Sequence, residues 1–342
     1  LVRVRGLAVT LAAFGAAGAV VGGWGSCARA PLATLTGPGT DAGNPLACDS
    51  PTNLVQPIPP DVLVVLDKSG SMDNQADGTS CSGGCGASSK WAQVTNAINK
   101  VVGQTQANVN WGMKLFATSI DGCDVSTGVE VAVGPMNGAA ISTLIMENSP
   151  GSRTPTQQAE AAGAAYLATL TDKRPKYLLL ATDGLPNCGP NAASPTDDNS
   201  MGAEQAVVAA RAAGFPTFVI GIGQTMAEAT LTRLALQGGV PQVGGATAFY
   251  QVSDTTQLVT ALGTILGSVT CVFDLPAPTQ TRETTSNIAV FVNGTAFPQD
   301  TGHASGWDYH GAEMKQIQIY GPTCDGLMGG KVASVSVQFI CG

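Results

Sequence analysis

Val62-Leu63-Val64-Val65-Leu66-Asp67-Lys68-Ser69-Gly70-Ser71 is an apolar run that ends on a carboxylate followed by two hydroxyls at alternate positions. Five consecutive aliphatic residues describe a strand buried on both faces, as in a parallel sheet covered by helices. Two further runs have the same character: Tyr177-Leu178-Leu179-Leu180-Ala181-Thr182, which ends on Asp183, and Phe218-Val219-Ile220-Gly221-Ile222. Around them the pattern alternates. Strands are expected at 62–67, 110–116, 128–133, 176–182, 215–221 and 247–251. Helices are expected at 88–103, 137–146, 155–170, 200–213, 226–236 and 254–268. This predicts an α/β fold, a doubly wound, mostly parallel sheet with helices on both faces. The 128–133 strand follows its predecessor with no helix between and reads as an antiparallel edge.

Ligands of such sheets bind beyond the carboxyl ends of the strands, at the point where the strand order reverses. Asp67 and Asp183 both stand at strand carboxyl ends. Thr154, in Ser152-Arg153-Thr154-Pro155-Thr156, opens the helix that leads into the Asp183 strand. The carboxylates of Asp67 and Asp183 and the hydroxyls of Ser69, Ser71 and Thr154 are all hard oxygen donors. They suit Mg²⁺, with Mn²⁺ or Ca²⁺ as alternatives, and not zinc or copper. A D-x-S-x-S segment by itself also describes a helix cap or a turn; the specificity lies in the trio, in this order and context.

With those residues in place, the chain over roughly 61–270 resembles the von Willebrand factor type A (vWA) domain and its metal-ion-dependent adhesion site (MIDAS). The matching residues are Asp67, Ser69 and Ser71, then Thr154, then Asp183 in A-T-D-G-L-P-N. The resemblance implies that the two serines and the threonine hold the cation directly or through water, and that the aspartates act mostly through water. Lys68 and Gly70 fill variable positions and are expected to face away. A protein partner presenting Asp or Glu would complete the shell of the metal. The implied function is a metal-dependent, adhesion-like binding module. The alternative is an envelope scaffold in which the metal only stabilises the fold.

Other classes fit less well. The formal net charge is −8 and the pI about 4.7, with no basic stripe to displace counterions from nucleic acid. The two histidines, His303 and His310, lie far from any nucleophile or acid in triad order. Gly221-Ile222-Gly223 lacks the third glycine of a dinucleotide fingerprint. The chain therefore reads as a non-enzyme. Oligomeric state and ligand identity leave no mark on the sequence.

Residues 1–26 read as an export signal, with Arg3 and Arg5 ahead of an Ala/Gly-rich apolar stretch. Residues 27–60 are rich in Pro, Gly, Thr and Asn and read as a linker. A flexible tether of that length reaches about 30 Å. Cys27 is a candidate lipid-attachment site, which would place the protein at the cell surface, outer membrane or periplasm on a membrane tether. Residues 271–342 read as a small all-β appendage, with strands expected at 287–292, 315–320 and 332–340, and resemble the cysteine-bounded tail that follows vWA domains in some exported bacterial proteins. Of nine cysteines, eight remain beside Cys27. An even set in an exported chain points to four disulfides, and eight cysteines allow 105 connectivities. The sheet order of the vWA resemblance implies Cys123–Cys188 above the metal and Cys48–Cys271 at the opposite edge, with Cys81–Cys85 and Cys324–Cys341 completing the set.

Overall fold

The computed structural model describes residues 51–118, 122–151, 153–189, 197–223, 227–279, 283–328 and 331–340. The chain begins with β1 (Asn53–Val55) and β2 (Asp61–Asp67), followed by α1 (Lys90–Thr105), β3 (Asn110–Phe116) and β4 (Val131–Gly134). Next come α2 (Gly138–Met146), α3 (Thr156–Leu167), β5 (Lys176–Thr182), α4 (Ser200–Ala212) and β6 (Thr217–Ile222). Then follow α5 (Glu228–Gly238), β7 (Tyr250–Val252), α6 (Thr255–Val269) and β8 (Val272–Asp274). The tail holds β9 (Ile288–Val292), β10 (Thr295–Phe297), β11 (Gly306–His310), β12 (Gln316–Tyr320), α7 (Pro322–Met328) and β13 (Val335–Phe339).

Six strands form the main sheet in the order β4-β3-β2-β5-β6-β7. All neighbours are parallel except β4, which lies antiparallel on β3 at the edge, as the missing crossover predicts. Every residue of β2 is buried. Side chains alternate across a strand, so Val62, Val64 and Leu66 join one layer with Val94, Ile98, Leu262 and Ile265 from α1 and α6. Leu63 and Val65 face the opposite layer, with Ala159, Val207 and Leu231 from α3, α4 and α5. Burying each of these aliphatic side chains stabilises by about 1.5–3 kcal/mol, which is why no polar residue interrupts the run before Asp67. On the second face α3 comes close. A Cβ at Gly163 would lie 3.0 Å from a Leu178 methyl and 3.3 Å from one of Leu63.

The switch in strand order falls between β2 and β5, so the carboxyl ends of these two strands border the crevice where ligands of such sheets bind.

The tail forms two small sheets, β1-β13-β9-β10 and β11-β12-β8, around a third core of Phe273, Ile317, Ile319, Val337 and Phe339. Two features differ from the sequence reading. First, residues 53–55, inside the stretch read as a linker, are a strand of the tail. Asn53 pairs with Val337 and Val55 with Val335, and Ile58 N–H donates to Val272 O at 2.8 Å. Three residues are too few to show a period, so the strand has no local signal. The main α/β layer therefore lies in sequence between two segments of the β unit, leaving after β1 and returning through β8. Among its described residues the tail, read from sequence as all-β, also contains a helix, α7.

Second, Cys271 pairs with Cys324, at a Cα separation of 5.8 Å, and not with Cys48; Cys324 is accordingly not joined to Cys341. The cause is β8. The residues just after Cys271 pair with β12, and Ile319 N–H donates to Cys271 O, which draws the start of α7 onto Cys271. Cys81–Cys85 and Cys123–Cys188 form as expected. The export segment, Cys27, Cys48 and Cys341 lie outside the described residues. Among the described residues no helix is long and apolar enough to cross a membrane.

Candidate metal centre

Asp67, the last residue of β2, is fully buried. Both of its oxygens are engaged: Ser69 N–H donates to Oδ1 at 2.7 Å and the Thr182 hydroxyl to Oδ2 at 2.6 Å. Thr182 ends β5, so one carboxylate ties the two strands at the switch point. The chain then turns through a short 3-10 segment, Gly70–Asp73, pinned by the buried Met72. This turn puts the Ser69 and Ser71 hydroxyls 3.1 Å apart, and Ser71 donates to Asp183 Oδ1 at 2.8 Å. Four of the five expected residues are thus joined in one hydrogen-bonded chain across 116 positions of sequence, from Asp67 to Asp183.

Thr154 reaches the same edge by a double clasp. On the β2 side, Gly151 N–H donates to Lys68 O at 3.0 Å and Lys68 Nζ to Asn148 Oδ1 at 3.3 Å. Lys68 therefore does not face away as expected; it is buried and grips the loop that carries Thr154. On the β5 side, Thr154 N–H donates to Asn187 Oδ1 at 2.7 Å, and Asn187 N–H returns a bond to Thr154 O at 3.0 Å. Asn187 adjoins Cys188, whose bond to Cys123 fixes the loop after β5 against the loop after β3. The loop after β2 rests on the end of β6, where a Cβ at Gly223 would meet Ala76 O at 2.5 Å.

The electrostatics are those of two crowded carboxylates. Burial lifts the Asp67 pKa to about 7, the nearby Asp183 adds repulsion, and hydrogen bonds from Thr182 and Ser69 oppose both. Asp183 has a counter-ion absent from the sequence reading. Lys90 Nζ donates to its Oδ2 at 2.6 Å, with both side chains almost wholly buried. Sequence does carry one clue. Lys90 is the first residue of α1, where the helix dipole disfavours a cation, so the position needs an outside anion.

Among the described residues no group of three or more His, Cys, Asp or Glu side chains is arranged for a metal. The oxygen set here is mixed, two carboxylates and three hydroxyls, and its chemistry fits a hard cation. Asp67 spends its oxygens on orienting Ser69 and Thr182, while the Ser69, Ser71 and Thr154 hydroxyls keep acceptor lone pairs.

The von Willebrand factor type A domain family matches residues 61–264, more than half of the chain, and the protein belongs to that family. Among solved structures, the PilB minor pilin from Streptococcus sanguinis is similar at 18% identity and a TM-score of 0.47, over 63% of this chain and 62% of that one. The von Willebrand factor domain of the type V pilus tip protein Mfa5 from Porphyromonas gingivalis is similar at 13% identity and a TM-score of 0.44, over 63% of this chain and 96% of that one. Proximal thread matrix protein 1 from the mussel byssus, with a zinc-occupied MIDAS motif, is similar at 17% identity and a TM-score of 0.40, over 61% of this chain and 48% of that one. No curated protein sequence matches the chain. The chain spans less than two thirds of the length of the PilB pilin.

Proposed function

We propose that the protein is a divalent-cation-dependent protein-binding module, adhesion-like and exported to the cell surface or envelope. The observation that carries this is the hydrogen-bonded chain Asp67–Ser69–Ser71–Asp183 at the carboxyl ends of β2 and β5. Ser69, Ser71 and Thr154 would hold Mg²⁺, with Mn²⁺ or Ca²⁺ as alternatives, and Asp67 and Asp183 would supply charge and orientation. When bound, the ion supplies an electrophilic position that takes a partner carboxylate. A shell rich in neutral hydroxyls leaves the ion net positive, which favours an Asp or Glu from the partner as the last ligand.

The polarity of the sheet supports a surface role. The β unit adjoins the segment that enters the amino end of β2, where Ile58 N–H donates to Val272 O. The site lies at the opposite, carboxyl end of β2. The reading is of a binding protein and not an enzyme. His303 pairs with Asp308 at 3.0 Å and stacks on Tyr320, both residues of the tail. A lipid tether at Cys27 belongs to the same proposal.

The test is capture of partners from envelope extract with Mg²⁺ present, comparing Ser71→Ala and Thr154→Ala with Lys173→Ala, an exposed residue at the opposite edge. The two crevice variants should lose EDTA-sensitive binding and the control should keep it. Equal binding by all three, or binding that survives EDTA, leaves the scaffold reading in its place.

A further inference from the structure

Lys90 makes the crevice unusual in a way that the oxygen donors do not explain. Its ammonium lies 2.6 Å from Asp183 Oδ2 while Ser71 donates to Oδ1, so both oxygens of Asp183 are occupied. The side chains of Lys90 and Asp183 are 5% and 1% exposed. A desolvated ammonium is retained only when it is paired. Its position costs further, because it heads α1 with no acidic residue in the first turn to offset the helix dipole. The anion paired directly with it is a carboxylate of the candidate metal set, Asp183.

We infer that Lys90 is a built-in competitor of the divalent cation, an ammonium that neutralises Asp183 when the metal is absent and weakens metal binding when it is present. The inference rests on the metal-dependent reading above and adds how that site is regulated. Without Lys90 the metal-free crevice would hold two buried carboxylates, Asp67 and Asp183, with no ion-pair partner for either among the described residues. With it, the fold tolerates the metal-free form, and any divalent ion must share Asp183 with a positive charge that repels it. Such a site exchanges its ion with the surroundings and engages a partner only above a threshold of divalent concentration. A permanently loaded site needs no such lysine.

The experiment is calorimetric titration of metal-stripped full-length protein with MgCl₂, together with thermal unfolding in EDTA. Three variants are compared with the wild type: Lys90→Met removes charge and hydrogen bond, Lys90→Gln keeps a donor without the charge, and Lys90→Arg keeps the charge. The neutral variants should bind Mg²⁺ at least about tenfold tighter, since a like charge is removed from a low-dielectric site. They should also unfold at a lower temperature in EDTA and gain more from added Mg²⁺. Lys90→Arg should stay near the wild-type affinity. Should Lys90→Met fail to fold, Lys90→Gln decides. If the wild type binds Mg²⁺ and the neutral variants bind no tighter, the competition is wrong while the metal-dependent reading stands. If neither wild type nor neutral variants bind, both fall. Binding by the neutral variants alone upholds the competition and removes the metal-dependent function.

Discussion

Glu160 is a buried carboxyl group that the metal centre does not use. It lies wholly inside, on α3, and its Oε1 has no hydrogen-bond partner among the described residues. Burial lifts its pKa from 4.5 to about 8, against a weak bond from the Thr217 hydroxyl at 3.4 Å. The folded value lies above the unfolded one. The stabilisation from the protonated form is therefore complete below pH 4.5, declines as pH rises, and is gone above about pH 8. The loss is on the order of 5 kcal/mol at 1.36 kcal/mol per pKa unit. Asp67 shifts in the same direction, so the informative quantity is the difference between wild type and Glu160→Gln. Urea unfolding in EDTA should find the two alike at pH 4 and Glu160→Gln clearly more stable at pH 9. Parallel pH profiles for the two would show that Glu160 is not held neutral in the core.

At the scale of elements, the crevice is assembled by loops that cross-link the strand ends. The loop before α3 is held by Lys68 on one side and Asn187 on the other. The loop after β5 is held in turn by Cys123–Cys188, which bridges 65 positions. Closing a loop of that size removes denatured-state entropy worth about 4 kcal/mol. Cys81–Cys85, with a separation of 4, is worth about 2 kcal/mol by the same relation. Cys123→Ser/Cys188→Ser should lower the unfolding midpoint more than Cys81→Ser/Cys85→Ser. It should also weaken Mg²⁺ binding severalfold, because Asn187 positions Thr154. An unchanged Mg²⁺ affinity would mean that the Thr154 loop keeps its place without this clamp.

At the scale of the whole molecule, the α/β layer is set between β1 and β8, so its two ends are stitched into one β unit. Val55 is buried against Phe273 and Val337 in that unit, whereas Leu54, its neighbour in β1, is 72% exposed. Val55→Asp should destabilise the tail by roughly 2 kcal/mol or more, as an unpaired polar group enters an apolar core. Limited proteolysis should then cut within residues 283–340 first and leave the segment from β2 to α6 intact. Leu54→Asp is the control and should behave as wild type. If both variants resist cleavage equally, residues 53–55 act as a linker and the pairing with β13 contributes nothing to stability.

The sequence by itself determined the alternation of strands and helices, the antiparallel edge, and the carboxylates at the ends of two buried strands. These features are local. Five aliphatic residues in a row, a crossover too short for a helix, and an Asp that ends an apolar run each carry their physics within a few positions. Tertiary structure decided the rest. Lys90 meets Asp183 across 93 positions, a pairing with no spacing rule comparable to neighbours one helical turn apart. Lys68 turned inward because Asn148 accepts from it on a loop that sequence places far away. Cys271 chose Cys324 because β8 pairs with β12, and β8, like β1, is a three-residue strand. Strands this short have no period to read; they exist because a neighbouring edge supplies their hydrogen bonds and a shared core buries their side chains.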